Sequence, residues 1–117
     1  MRVDLVVAAV ACASLLPQPL AAQSPEAIRI ADEAMAVVQS RCVSCHRAGG
    51  DAPFSLASFD EVRRHSATIA RVVKSGYMPP WKPVAGYGEF VGARRITPQE
   101  IELLEQWVRI GAPSGSS

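Results

Sequence analysis

The chain has 117 residues, with 12 Lys and Arg, 11 Asp and Glu, and a formal net charge of +1. This length suits one small domain. Its charges nearly balance, so the chain lacks the basic excess that is expected of a nucleic-acid-binding domain. A domain this small buries little apolar surface, so we expect a bound group to supplement its core.

The N-terminal segment 1–22 has the pattern of a cleaved secretory signal peptide. Arg2 precedes the apolar stretch 5–16, and a pair of alanines at 21–22 precedes the expected cleavage site. The apolar stretch is shorter than the roughly 20 residues that a membrane-spanning helix needs. We therefore expect export. Retention of the segment as an N-terminal anchor is the alternative, and Cys12 is interpreted as a signal residue.

Start signals predict three helices in the domain 23–113. Ser24, followed by a proline, is an N-cap pattern, and the amphipathic helix that it begins ends close to Cys42. A capping box at Ser58, with a glutamate three residues later, begins a second helix that continues to Lys74. Both helices have one apolar face and one polar face, which is typical of helices that pack on a common core.

The third predicted helix begins at the capping box of Thr97-Pro98 and ends before Gly111. Its apolar stripe covers nearly half of the helix circumference. A stripe this wide predicts that the helix contacts two partners. The stripe consists of Ile101, Leu103, Leu104, Trp107, Val108 and Ile110. Residues 114–117 are predicted to form a disordered tail.

Two long loops separate the predicted helices. Segments 47–57 and 76–90 are rich in Gly and Pro and lack the alternation of strands. Loops of this length are unusual in a small all-α domain unless they wrap a ligand. The sequence therefore predicts an all-α fold whose loops surround a bound group.

The stretch CVSCH contains Cys42, Cys45 and His46 and allows several kinds of site. A redox dithiol has the same cysteine spacing, but it requires a preceding strand, whereas here a helix is predicted. A structural zinc ion needs four ligands, for which His46 and His65 would have to join the two cysteines. An iron–sulfur cluster normally needs more cysteines than remain after residue 22. Dithiol and zinc stay as weaker alternatives.

C-x-x-C-H is also the attachment motif of haem c, which is the interpretation we favour. Two thiols at this spacing on a short helical turn can each add to one vinyl group of a porphyrin. The following residue, His46, then lies under the ring and can coordinate the iron. Covalent haem attachment takes place outside the cytoplasm, so the motif and the predicted signal peptide support each other.

Met78 is the best candidate for the second axial ligand of the iron. Pro79 and Pro80 follow it and restrict the loop, which can hold the thioether sulfur towards the iron. One alternative is that Met78 only fills an apolar gap. Another is ligation by His65, which falls on the apolar face of the second helix, although such histidines more often belong to the core or bond a haem propionate.

Together these residues resemble the class I, mono-haem cytochrome c family over nearly all of 24–113. The stretches CVSCHRAGGDAPFSL, GYMPPWKP and ITPQEIELLEQWVRIGAP are more similar to a bacterial subgroup with an MPPW loop. The resemblance implies a cytochrome c-like fold of about three main helices around one covalent haem c. It also implies that Cys42 and Cys45 are the thioether anchors, and that His46 and Met78 are the metal ligands.

The resemblance further implies that the first and last helices cross. Ala34 and Val38 stand where the family usually has a glycine and an aromatic residue, and Trp107 would fill the space beside Val38. A proline carbonyl often accepts a hydrogen bond from the proximal histidine, and Pro53 is the nearest candidate. The pocket walls, for which core packing is an equal explanation, would be Phe54, Leu56, Ile69, Val73, Tyr77 and Trp81. A basic cluster, interpreted mainly as solvated surface, consists of Arg71, Lys74 and Lys82.

The expected function is the transfer of single electrons between redox proteins outside the cytoplasm, in the periplasm or in another compartment reached by export. Ligation by His46 and Met78 would fill both axial positions, so an electron carrier is predicted and not an enzyme. We expect one redox protein as donor and another as acceptor, no nucleic acid, and no strong membrane association unless 1–22 is retained. Two alternatives are a haem sensor or enzyme with a displaceable distal ligand, and an electron-transfer subunit of a dehydrogenase or oxidase complex.

Overall fold

The computed structural model describes residues 23–80, 84 and 86–116. This part of the chain contains four helices and no strand, which confirms the all-α prediction for it. The helices are α1 (Pro25–Arg41), α2 (Phe59–Arg64), α3 (Ser66–Lys74) and α4 (Pro98–Arg109). Among the described residues, no helix has both the length and the apolar character needed to cross a membrane. The predicted signal segment 1–22, Trp81 and Lys82 lie outside the described residues.

The helix starts predicted from capping residues are confirmed. The Ser24 hydroxyl accepts a hydrogen bond from the backbone N–H of Ala27 at the start of α1. Reciprocal capping boxes begin α2 at Ser58 and α4 at Thr97. Each cap satisfies backbone N–H groups that the first helical turn leaves without partners, so local sequence alone is enough to place these starts.

The second predicted helix is wrong as a single element, because the structure divides it at His65. The backbone of His65 has φ −100° and ψ 4°, which is outside the α-helical region. Its N–H bonds the carbonyl of Val62, three residues back, and so tightens the last turn of α2. Its ring stacks on Phe54, with centroids 4.3 Å apart. We attribute the break to this contact with Phe54. The apolar periodicity of a helix contains no information about contacts with another segment, so the sequence did not predict the break.

Helix α4 packs against both α1 and α3, as its wide apolar stripe predicts. Trp107, Leu104 and Val38 are fully buried and belong to one hydrophobic cluster. The indole Nε1 donates a hydrogen bond to the Pro113 carbonyl at 3.0 Å, which satisfies its polar atom. The other members of the core are Ile30, Ala31, Ala34, Val37, Leu56, Val62, Ile69, Val73 and Ala112.

The chain after α4 folds back against α1. Gly111, with φ 95°, donates to the Val108 carbonyl, and the next N–H donates to that of Trp107, which together form a Schellman motif. Residues 114–116, part of the predicted disordered tail, are described and make contacts. The N–H and hydroxyl of Ser116 donate to the carboxylate of Asp32 at 2.9 and 2.8 Å. These bonds fix the segment on α1.

An ion pair ties the end of α1 to the start of α4. Arg41, the last residue of α1, donates to Glu100 at 2.9 Å, and the carboxylate is largely shielded from solvent. Burial by itself raises the pKa of Glu100, but the N–H of Thr97 and the Arg41 guanidinium outweigh it and hold that pKa below its ordinary value. The ionised carboxylate is therefore more stable in the folded state than in the unfolded chain.

Replacing Glu100 should change the acid sensitivity of the fold. A depressed folded-state pKa contributes stability that is fully present above the unfolded-state pKa and is lost as the pH falls through the folded-state value. Glu100→Gln keeps a side chain able to cap Thr97 but removes this titration. The free energy of unfolding, measured by urea denaturation from neutral pH into the acid range, should fall less steeply in this variant than in the wild type.

Glu102→Gln is the matched control on the same helix. Its carboxylate is exposed and forms an ion pair with Arg109 on the surface of the helix. This variant should follow the wild-type pH profile. An unchanged acid slope in Glu100→Gln would contradict the role that we give to the ion pair between α1 and α4.

Candidate functional site

The CVSCH stretch forms a single turn directly after α1. The N–H of Cys42 continues the helix by donating to the Val38 carbonyl at 2.9 Å. The carbonyl of Cys42 then accepts from the N–H groups of Cys45 and His46, at 3.2 and 2.9 Å. Both thiols are free and half-buried. Helix α1 therefore positions the two sulfurs and the imidazole on one short helical turn, as the motif spacing predicts.

The environment of Cys42 is unlike that of a reactive redox cysteine. Burial, followed by the neighbouring Cys45, raises the pKa of the Cys42 thiol to about 11. Nucleophilic dithiols need the opposite shift, because the thiolate is the attacking species. The segment before the motif is the helix α1 and not a strand. Both observations disfavour the dithiol alternative.

His46 is held by a backbone carbonyl of the following loop. Its Nδ1 lies 3.1 Å from the carbonyl oxygen of Phe54. A carbonyl can only accept, so Nδ1 carries the hydrogen, and in the neutral imidazole Nε2 then presents a lone pair. The predicted partner was the carbonyl of Pro53, which is wrong by one residue. A histidine that donates through Nδ1 to a carbonyl has the tautomer and orientation required of a metal ligand at Nε2.

The loop after the motif folds back onto it. The N–H of Leu56 donates to the His46 carbonyl at 2.8 Å, and the N–H of Ala52 donates to the Cys45 carbonyl at 3.2 Å. Gly50 passes so close to the motif that a Cβ there would lie 2.2 Å from the carbonyl oxygen of Cys45. Only glycine permits this approach, so Gly50 lets the loop bring the Phe54 carbonyl to the imidazole.

Phe54 lies between the two histidines of the chain. Its ring centroid is 4.6 Å from that of His46 and 4.3 Å from that of His65, with a tilted and a stacked geometry respectively. His65 is therefore half-buried against an aromatic ring at the junction of α2 and α3. The other residues predicted to line a haem pocket differ in exposure. Leu56, Ile69 and Val73 are buried in the core, whereas Tyr77 is 71% exposed.

Met78 lies in the loop after α3. Its N–H donates to the carbonyl of Val72 at 3.0 Å, and its half-buried side chain packs against the same core as Cys42. The following Pro79 is buried, and the Met78–Pro79 peptide bond is cis. The end of α3 thus fixes the start of the methionine loop, just as the end of α1 fixes the cysteine turn.

Basic residues occupy two different settings near these loops. Lys74 pairs with Glu105 on α4 at 2.7 Å, and Arg71 is exposed. Arg94 donates from Nε to the hydroxyl of Ser44 at 3.0 Å. Because Ser44 lies between the two cysteines, this bond ties the segment before α4 to the motif. The predicted basic cluster had omitted Arg94.

The residues present fit a covalently attached haem. They offer two free thiols on one turn, an imidazole whose Nε2 lone pair is available, and a thioether from Met78. In the ranges 23–80, 84 and 86–116, no three His, Cys, Asp or Glu side chains are grouped as metal ligands.

Comparison with known proteins found no matching family model, no matching curated protein and no matching solved structure. The interpretation of the site therefore depends on the residues and their geometry.

Sequence reasoning missed three contributors to the site: Gly50, the Phe54 carbonyl and Arg94. The Gly49-Gly50 pair is a signal for close backbone approach, but it does not say what is approached. A backbone carbonyl carries no side-chain signal at all. The bond from Arg94 to Ser44 joins residues that are 50 positions apart, so only the fold brings them together.

Gly50→Ala should disrupt the loop that holds His46. The added Cβ meets the Cys45 backbone, which cannot move without displacing the motif. We expect a loss of about 1–3 kcal/mol in the free energy of unfolding, as in other overpacked sites. Gly49→Asn is the control, since nothing lies within 4 Å of that position and asparagine tolerates its φ of 72°. Equal stability of the two variants would contradict the close approach.

Proposed function

We propose that this chain is an exported mono-haem c-type cytochrome that carries single electrons between redox proteins. The observation that carries the proposal is the hydrogen bond from Nδ1 of His46, the last residue of CVSCH, to the carbonyl of Phe54 in the following loop. It leaves Nε2 as the coordinating atom, at the position where the attachment motif requires a ligand. The resemblance to class I cytochromes c in the cysteine and methionine loops supports the same function.

The two cysteines would attach the group through thioether bonds. Each thiol would add across one vinyl group, forming a sulfur–carbon bond and passing its hydrogen to the neighbouring vinyl carbon. The addition needs reduced thiols and no oxidant. Cys42 and Cys45 meet this condition because neither is in a disulfide. The predicted export of the chain matches the compartment in which such attachment takes place.

His46 and Met78 would hold the iron of the attached haem. The Phe54 carbonyl fixes the imidazole in one tautomer, and the α3 end fixes the backbone of Met78. When bound, the haem supplies the iron that alternates between Fe(III) and Fe(II), and a methionine ligand raises its reduction potential. With His46 and Met78 both bound to the metal, the chain would keep water and substrates away from it. This arrangement suits a carrier better than a catalyst.

The first test is covalent attachment. The chain should be expressed with its N-terminal segment in a bacterium that matures c-type cytochromes, and its mass and absorption spectrum measured. We expect the mass to rise by one haem and the reduced protein to show a c-type spectrum. Replacing both Cys42 and Cys45 by serine should abolish the covalent haem, whereas Ser44→Ala, between them, should retain it. A wild-type chain without covalent haem would refute the proposal.

The second test concerns Met78. The ferric protein should show the weak near-infrared band of methionine–iron ligation, and Met78→Ala should lose it. Met35→Ala is the matched control, because that methionine is on α1 and should leave the band unchanged. Persistence of the band in Met78→Ala would exclude Met78 as the distal ligand. A high-spin wild type that binds carbon monoxide at neutral pH would favour the sensor or enzyme alternative.

A further inference from the structure

Phe54 contacts His46 in two ways. Its carbonyl oxygen lies 3.1 Å from Nδ1 of His46, and its ring lies against the imidazole with centroids 4.6 Å apart and planes tilted by 49°. The carbonyl decides which nitrogen carries the hydrogen, and the ring packs on the imidazole itself. A displacement of Phe54 would therefore alter both the hydrogen bond and the orientation of the imidazole.

The hydrophobic core does not hold the ring of Phe54. Phe54 is 39% exposed, whereas Leu56, two residues later, is 3% exposed and belongs to the core cluster. Leu56 fixes the loop backbone through its bond to the His46 carbonyl, but that bond does not determine where the Phe54 ring lies. A second ring contact comes from His65, whose imidazole is stacked on Phe54 with an angle of 21° between the planes.

His65 is itself fixed by the backbone at the junction of α2 and α3. Its N–H donates to the Val62 carbonyl at 3.1 Å, and its carbonyl accepts from the N–H of Ile69 at 2.8 Å. Val62 and Ile69 are both buried in the core. Because the backbone of His65 is tied to two core residues, its ring gives Phe54 a support that is attached to the core.

The side chain of His65 does not serve the helix that it begins. His65 occupies the N-cap position of α3, where a side-chain oxygen of Ser, Thr, Asp or Asn usually accepts from the first turn. It makes no such bond, and its ring instead stacks on Phe54. The contact with Phe54 is therefore the role that the structure shows for this side chain.

We propose that His65 is a positioning residue for the imidazole of His46. Its ring stacks on Phe54 and thereby holds the Phe54 carbonyl against Nδ1 of His46. The inference rests on the proposed function, because it concerns His46 as a ligand of the iron. A hydrogen bond from Nδ1 raises the basicity of a ligating imidazole, and a more basic ligand favours Fe(III) over Fe(II). Loss of the His65 ring should therefore weaken the bond and raise the reduction potential.

The test compares His65→Ala with His65→Phe in the haem-loaded protein. Alanine removes the ring, whereas phenylalanine keeps an aromatic face for Phe54. NMR spectroscopy of the isotope-labelled ferrous protein gives the chemical shift of the His46 Nδ1 proton and its rate of exchange with solvent, and a redox titration gives the midpoint potential. We expect a smaller chemical shift, faster exchange and a higher midpoint potential in His65→Ala, and values close to those of the wild type in His65→Phe.

Ile30→Ala controls for a loss of stability alone. Ile30 is buried in the core on α1, about three helical turns before Cys42. Its truncation should lower the free energy of unfolding, because it leaves a cavity in the core. The chemical shift of the His46 Nδ1 proton should stay at its wild-type value in this variant.

His65→Leu keeps the test decisive if His65→Ala does not retain haem, because leucine fills the space without an aromatic face. Wild-type values in a haem-loaded His65→Ala or His65→Leu would overturn the inference and leave the proposed function intact. So would an equal change of the Nδ1 proton signal in His65→Phe or in Ile30→Ala. Absence of covalent haem from the wild type would overturn the proposed function first, and this inference with it.

Discussion

The contact between α1 and α4 is the constraint on which the rest of the structure depends. Trp107 and Leu104 of α4 are fully buried with Val38, one turn before the cysteine motif begins. The Arg41–Glu100 pair fastens the same end of α1 to the first turn of α4. Because α1 cannot shift along α4 without exposing an indole and breaking this pair, the turn that follows α1 has a fixed place. The packing of α1 on α4 therefore holds the candidate site in place.

The site itself is made by loops that return to helix ends. The turn 42–46 follows α1, and the loop after it bonds back to His46 and Cys45 through backbone N–H groups. The loop with Met78 starts at the end of α3, which packs on α4 in turn. A small core thus anchors both halves of the proposed iron site. Since the protein core is modest in size, a bound haem would add the apolar contacts that the loops lack by themselves.

Polar contacts decide the details that matter for chemistry. The imidazole of His46 owes its tautomer to one carbonyl, and the approach of that carbonyl requires the absence of a side chain at Gly50. Arg94 and Arg95 are adjacent in sequence, yet one is satisfied by a serine of the motif and the other has a buried nitrogen without an acceptor in the described chain. Two adjacent arginines therefore differ in their hydrogen bonds because their surroundings differ.

The sequence by itself determined the starts of α1, α2 and α4, the apolar stripe of α4, and the cysteines, histidine and methionine proposed for the site. Caps and periodicity act within a few residues, so they can be recognised from Ser24, Ser58 and Thr97 without a fold. The break at His65, the Phe54 carbonyl and the docking of residues 114–116 on Asp32 were decided only by the tertiary structure. Each of these features depends on a partner distant in sequence or on a backbone atom. The local pattern of side chains does not indicate either kind of partner.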